Sequence, residues 1–360
     1  MQQGGGNDGR PYSFGRPSSG GSKAAYPCKS YGQGRINPAY FYGVFDPNDM
    51  RRDVSITMTG SNGKGVEKLI PFVPNSKAEG GGLTLNKWDE NRQANPWVAA
   101  QRKSGINGPY MRMSEVYLGY AEVCAALGDV VTGKQYLKTV RERSFPQGLA
   151  NTDAFIASFG NDLVRAIIEE RGFEYAGEGD RRWTLIRSGY LPEDIKRIKD
   201  MTKAMMDGLA TKGYYEFENG NIISAYIWTK LVDAKTIYGH RLTAQCPTDK
   251  VNDPVLYPGW RGQKDNWEEM GLNYGSSTPA TNLAIKGLFE IVSEEEAASL
   301  ESQGYAKVNW GIDLVDYRDE YDKYLFWDYD YVSAPIYLWP FTPNVMAAGG
   351  FTNGYGFKQE

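Results

Sequence analysis

A chain of 360 residues can bury one large core or two modest ones; at net charge −4 and 23% charged residues it shows no basic block or Lys/Arg stripe, which excludes a nucleic-acid footprint. No apolar run is long enough to cross a bilayer, and Met1-Gln2-Gln3-Gly4-Gly5-Gly6 lacks the basic and apolar regions of a signal peptide. Aromatics at 13%, led by 25 Tyr, together with 42 Gly favour a loop-rich protein with Tyr-lined surfaces over a plain bundle.

Residues 1 to about 38, rich in Gly, Ser, Pro and Tyr, read as an irregular lead-in. Val54-Ser55-Ile56-Thr57-Met58-Thr59 alternates apolar and polar residues and predicts a strand. Ser61 to Gly65 reads as a turn, Leu69 to Val73 as a partner strand, and Leu83 to Trp88 as a further short strand. Asn107-Gly108-Pro109 then punctuates the entry to a helical centre.

From Met113, small or apolar residues recur at Val116, Tyr117, Tyr120, Ala121, Cys124 and Leu127, the spacing of one helical face. Gly128-Asp129 stops this helix. A second stripe follows at Gly133, Tyr136, Leu137 and Val140, with Lys134, Lys138, Arg141 and Glu142 as its solvent face. Counted from Ser114, the two helices fall on the large–small pattern of a tetratricopeptide repeat, with Tyr117 in place of its Trp, Leu137 in place of its Phe, and Pro146 one place beyond its proline. Ala121 and Gly133 would let the helices approach closely. One such unit cannot bury its own apolar face, and no second unit is legible in the chain.

Asn151-Thr152-Asp153 starts a further helix, expected to run to about Tyr175, and Trp183 to Arg187 gives a short continuation ended by Gly189. Glu193 to Leu209 reads as a charged helix. Beyond it the chain reads as long, aromatic and irregular through Trp228, Tyr257, Trp260, Trp267 and Tyr274, with a weak helical segment within 279–303. Tyr317 to Tyr331 alternates acids with aromatics, and Pro335 to Asn344 closes the chain with three prolines. The expected organisation is a loop-rich segment with short strands over 1–109, a tetratricopeptide-like helical core over 110–190, and a loop-rich region over 191–360 packed on that core. The fold class is mainly α, with long irregular loops and a few short strands.

Catalytic chemistry finds little support. The single histidine, His240, sits beside Arg241 in an irregular stretch, and Gly60-Ser61-Asn62-Gly63-Lys64-Gly65 fails the phosphate-loop spacing. Asp46, Asn48 and Asp49 could hold a calcium ion but lack the remaining ligands of a calcium loop, so capping or pairing with Arg51 and Arg52 is favoured, and no cofactor is expected. Cys28, Cys124 and Cys246 form no metal spacing, and Cys124 falls on the apolar stripe. With 44 acids, paired carboxylates for glycoside hydrolysis are available by abundance, which selects no pair. Binding asks for less. Flat Tyr and Trp rings cover the C–H faces of sugars, while Asn, Asp, Gln and Arg satisfy their hydroxyls. The candidate ligand contacts are Tyr26, Tyr31 and Trp97 in the first half and Trp260, Asn266, Trp267 and Tyr274 in the second. Tyr117, Tyr120, Tyr136 and Tyr175 fall on helical stripes and are expected in the core.

Four ordered segments resemble the SusD/RagB family of Bacteroidota outer-membrane lipoproteins. Phe45 to Asp53 resembles the family's aspartate–arginine segment. Tyr110 to Glu122 resembles its arginine-x-x-glutamate helix with the tyrosine-alanine-glutamate after it. Ile168 to Trp183 resembles its glutamate–arginine helix, glutamate–glycine turn and following arginine. Leu338 to Asn344, with Gly354 to Phe357, resembles its closing proline motif and terminal aromatic. Gly172 departs from the pattern, standing where a charged residue is common. The resemblance implies a non-catalytic binder of oligosaccharide, or of peptide cargo, that delivers it to a SusC-type TonB-dependent transporter at the outer face of the outer membrane. It also implies that this chain is a C-terminal portion. The family's signal peptide, lipid-bearing cysteine and first helical hairpins would then precede Met1, and a lipid anchor would be the only membrane attachment. A polysaccharide hydrolase and a helical-repeat scaffold stay open as alternatives. In physical terms the shared charged residues, Arg112, Glu115, Glu122, Glu170, Arg171, Glu178 and Arg181, are candidates for a polar network joining the hairpin to the helix that follows, because buried charges persist only when paired.

Overall fold

The computed structural model describes residues 34–61, 67–72, 82–88, 109–146, 148–233, 281–318, 343–350 and 352. Two short helices open this part of the chain. Helix α1 (Pro38–Gly43) starts at Asn37, whose side chain accepts the Ala39 N–H, with proline in the first turn. Helix α2 (Met50–Ser55) starts at Asp49, which accepts the Arg51 N–H. The alternation at Val54–Thr59 therefore does not make one strand. Val54 and Ser55 complete the helix that Asp49 nucleates, and only β1 (Ile56–Thr57) and β2 (Thr59–Ser61) are extended. β3 (Glu67–Leu69) pairs with β2, two residues earlier than the strand expected from Leu69, and β4 (Thr84–Leu85) pairs with β1 as a shorter element than Leu83–Trp88.

The helical hairpin is present: α3 (Met113–Ala126) and α4 (Val130–Glu142), separated by Gly128 at φ +89° and capped by Asp129. Its two helices approach through Gly133. A Cβ there would lie 3.0 Å from the Ala121 carbonyl oxygen, 3.2 Å from the Ala125 nitrogen and 3.2 Å from Leu163. The buried face of α3 is Ser114, Leu118, Ala121 and Cys124. The expected stripe is only partly inside. Met113, Val116 and Tyr120 are exposed, as are Val123 and, at 81%, Leu127. Tyr175 is core and Tyr117 and Tyr136 are half-buried, so Tyr120 is the one ring of the four that lies on the surface, edge-on to Tyr136 at 5.0 Å. Periodicity alone could not separate the two sides, because α3 is apolar on both.

The long helix expected from Asp153 to Tyr175 is two. α5 (Thr152–Ala157) and α6 (Leu163–Glu174) are divided by Gly160 and Asn161, both near φ +65°, and Asp162 recaps α6 by accepting the Arg165 N–H. α7 (Asp180–Ser188) ends at Gly189 in the left-handed region, and α8 (Leu191–Lys212) ends likewise at Gly213.

Among the described residues beyond α8, the stretch around Trp228 is regular where an irregular one was expected, while Tyr257, Trp260, Trp267 and Tyr274 lie outside them. β5 (Tyr214–Glu216) and β6 (Ile222–Ser224) form a hairpin. β7 (Tyr226–Asp233) is the centre of an antiparallel sheet between β8 (Thr281–Lys286) and β9 (Ala306–Asn309). Trp228 is a strand residue, buried with Ala284, Leu300 and Tyr305 on one sheet face, while its neighbour Ile227 enters the main core on the other. The helical segment expected within 279–303 is confined to α9 (Glu294–Ser302), capped by Ser293. α10 (Gly311–Asp316) and α11 (Pro343–Gly349) complete the described elements.

Two main cores result. An aromatic one joins α1, α8, α10 and the sheets around Phe41, Tyr42, Phe45, Phe72 and Trp310, and the Trp310 Nε1–H donates to Tyr42 Oη at 2.9 Å. The other packs the hairpin on α6 through Leu118, Ala121, Leu137, Val140, Ala166 and Ile167. Helix α6 lies where they meet: its Phe173 belongs to the first, its Ile167 to the second, and its Ile168 to a third cluster with Leu185 and Leu191. All its residues but Val164 are buried.

Gly133→Val is expected to force α3 and α4 apart and to lower unfolding free energy by about 1–3 kcal/mol. Urea denaturation followed by circular dichroism checks this; an unchanged midpoint would mean that the helices do not touch at that glycine.

Candidate functional site

Helix α6 carries Arg165, Glu169, Glu170, Arg171 and Glu174 into the interior, and each ion meets a partner. Glu170, fully buried, accepts from Arg51 Nη1 at 2.6 Å and Arg141 Nη1 at 3.0 Å. Glu174 accepts from Arg112 Nη1 at 2.6 Å, from Arg51 Nη1 at 3.2 Å and from Arg143. Arg51 is itself held by Asp49 at 2.7 Å. On the opposite side, Glu169 accepts from Arg181 at 2.8 Å and Arg197 at 3.0 Å, and Asp194 bridges the same two arginines. Arg171 pairs with Asp180 at 2.5 Å and reaches Glu115 at 3.8 Å. Past the helix end, Glu178 binds Arg112 at 2.9 Å and Lys87 at 2.6 Å, and Lys87 also donates to the Glu174 carbonyl.

The lattice therefore brings Arg112 together with Glu178, and Glu115 with Arg171. Arg112 does not pair with Glu115 along the helix. It is the extended N-cap residue of α3, and its guanidinium crosses to the α6 C-terminus, 4.9 Å from the Tyr175 ring centre. Glu122 lies outside this group and pairs with Arg187 of α7 at the surface. Arg181 sits on the Glu169 side, its Nη1 donating to the Ile168 carbonyl. The unusual Gly172 makes room for it, since a Cβ there would stand 2.8 Å from Arg181 Nη1.

Several members were not legible beforehand: Lys87, Arg143, Glu169, Glu174, Asp194 and Arg197. Arg141 was read as solvent-facing on α4 and is 3% exposed. It stands four residues after Leu137, on the buried stripe, and that register was the available signal. The Asp46–Asp53 segment works as capping and pairing: Asp46 accepts the Asn48 N–H, Asp49 caps α2, and Arg52 pairs with Asp53 at 2.9 Å. No group of His, Cys, Asp and Glu among the described residues could hold a metal ion. The candidate ligand contacts Tyr26, Tyr31, Trp97, Trp260, Asn266, Trp267 and Tyr274 all lie outside the described residues, as does His240.

Electrostatically the lattice favours the ionised form of Glu174 and Asp194. Burial alone would raise the Glu174 carboxyl, but adjacent Arg51 and hydrogen bonds from Arg143 and Arg112 outweigh it and hold the group at about 2. Burial acts the same way on Asp194, where Arg181 and Arg197 prevail and lower it. A carboxylate held at about 2 by three guanidiniums has no proton to give near neutrality and is a weak base there, so Glu174 suits framing rather than acid–base chemistry.

The SusD family model matches residues 1–341. A SusD-like protein of Formosa agariphila is 28% identical over 160 residues, which are 44% of this chain and 26% of that protein. Among solved structures, a SusD superfamily protein from Bacteroides vulgatus aligns at 17% identity and TM-score 0.29, over 47% of this chain and 36% of the other. A SusD homolog from Bacteroides thetaiotaomicron aligns at 23% identity and TM-score 0.32, over 45% and 33% respectively. The chain thus spans about a quarter of the curated relative's length and about a third of each solved chain.

Glu174→Gln is expected to strand its guanidinium partners and cost about 3–5 kcal/mol. Because the folded group sits at about 2 against an ordinary 4.5, its contribution is present above pH 4.5 and is lost as pH falls toward 2. Between pH 7 and pH 3 this should remove about 2 kcal/mol from the wild type and far less from the variant. Denaturant titrations at pH 7 and pH 3 compare them, and parallel pH dependences would exclude Glu174 as the source.

Proposed function

The chain belongs to the SusD family, and from that premise we propose that it forms part of a non-catalytic cell-surface protein that binds oligosaccharide and delivers it to a SusC-type TonB-dependent transporter in the outer membrane. The observation that carries this reading is the family match over residues 1–341, across a chain whose aromatics are 13% of residues and led by 25 Tyr. Rings of that kind lie flat on the C–H faces of sugars, and neighbouring amides and carboxylates take the hydroxyls. The described lattice supports a binding rather than a chemical role, since its buried acids are committed to arginines. No helix among the described residues is long and apolar enough to cross a membrane, and a lipid anchor on the full protein is the proposed attachment. Weak individual contacts suffice for such a role, because tethering beside a transporter raises the effective concentration of bound cargo.

The proposed contacts are Tyr26, Tyr31, Trp97, Trp260, Asn266, Trp267 and Tyr274. Isothermal titration against a panel of plant and algal oligosaccharides is expected to find one that binds, with Trp260→Ala or Trp267→Ala weakening it about tenfold, the loss of one stacked ring. Unchanged affinity in both variants would remove these two positions. New reducing ends on incubation would replace the binder with a hydrolase, and binding of peptides alone would change the cargo.

A further inference from the structure

Helix α3 buries Ser114, Leu118, Ala121 and Cys124 and turns a second apolar line outward. Met113, Val116, Tyr120, Val123 and Leu127 are each about half exposed or more. Their steps of three, four, three and four residues are those of a seam between two helices. No charge interrupts the line. Helix α3 contains no Lys or Arg, and its two acids turn aside, Glu115 to Arg171 and Glu122 to Arg187. A helix lying on a membrane surface would instead carry basic residues beside its apolar face. Gly119 lies along the edge of the line. Glycine weakens a helix interior, and nothing in the chain requires it here, since a Cβ at Gly119 would meet no atom within 4 Å. Ala126, one heptad further on, is exposed as well. The room that these two small residues leave is used only when a second helix comes close.

The occupant whose spacing matches this face is the same helix of another copy. Turned end for end, the line reads four, three, four, three. Val116 of one copy then comes beside Val123 of the other, and the converse, around a two-fold axis passing next to Gly119 and Tyr120. Because none of the five positions is charged, the pairing brings no like charges together. We propose that the outer face of α3 is an interface between two copies of this chain, packed antiparallel through Met113, Val116, Tyr120, Val123 and Leu127. A single repeat-like hairpin cannot cover its own apolar face, and the hairpin of the second copy serves as the next unit. The line and the residues beside it offer about 600 Å² per copy, so a pair buries about 1,200 Å², the lower bound of a specific interface, and micromolar self-association follows. The interface stands apart from the positions proposed to hold oligosaccharide, and it does not depend on what they bind.

Sedimentation velocity of the full chain across the micromolar range tests this, and a monomer–dimer equilibrium is expected. Val116→Lys and Val123→Glu each place an unpaired charge in the seam and should weaken the dimer about a hundredfold. Both side chains are exposed in the single chain, so the melting temperatures should not change. Mixing the two variants should restore a heterodimer, because antiparallel packing sets the introduced ammonium beside the introduced carboxylate. Gly119→Gln enters open space in the single chain and favours the helix, yet it should weaken the dimer about tenfold by crowding the axis. A wild-type chain that stays monomeric throughout would leave this face to another partner and overturn the proposal. Dimers that survive both charged substitutions would place the interface elsewhere and overturn it too. Charged variants that fail to associate on mixing would exclude the antiparallel pairing.

Discussion

A helix enclosed on every side can carry ions only if each is met inside the protein, and α6 carries five. Removing one carboxylate from water without compensation costs several kcal/mol even after relaxation, a large part of a domain's net stability. The surrounding elements therefore have little freedom in where they dock. Arg51 must arrive from α2, Arg112 from the start of α3, Arg141 and Arg143 from the end of α4, Arg181 from α7 and Arg197 from α8. Such pairs contribute little net stability relative to a well-packed apolar core, since desolvation offsets much of their attraction. What they specify is orientation, because a guanidinium fork satisfies a carboxylate from few directions. Five separate stretches are thus aligned on one helix, and the apolar clusters fill the space between them.

That dependence explains what could be read from the chain beforehand and what could not. Glu170-Arg171, Glu178 and Arg181 stand out against an apolar background, and pairing was the physical expectation for them. The partners were another matter. Arg51, Arg141 and Glu170 are separated by long stretches of sequence, and nothing local distinguishes an arginine that crosses an interface from one that faces water. Helix punctuation was similarly divided. Gly128-Asp129 and Gly189 mark ends that composition reveals, whereas the stop at Gly160-Asn161-Asp162 lies inside a pattern whose apolar spacing continues unbroken into α6. Val54-Ser55 failed for a complementary reason: a side-chain cap earlier in the chain, at Asp49, outweighed β-propensity in a six-residue segment.

The hairpin shows a different limit. Helix α3 presents Leu118 and Ala121 to α4 and α6, while Met113, Val116, Tyr120, Val123 and Leu127 form a second apolar line at alternating steps of three and four, exposed along its whole length. Val131, 82% exposed at the start of α4, extends it. A lone amphipathic helix in water would not carry such a line, but a repeat unit offers one to the next unit in a stack. Two apolar faces on one helix also cancel in any measure of periodicity, which is why the sequence could identify a helix here without saying which side was inside.

Arg141 links the frame to the α1–α2 connection, where its Nη2 pairs with Asp46 Oδ2 at 4.0 Å. Glu170 holds its other edge, and the Phe155 and Phe145 rings, with centres 3.8 and 4.6 Å away, pack against its plane. Asp46 is restrained in turn by the Asn48 N–H. The same arginine that fixes the docking of α4 on α6 thus also ties the start of the α1–α2 connection to that frame.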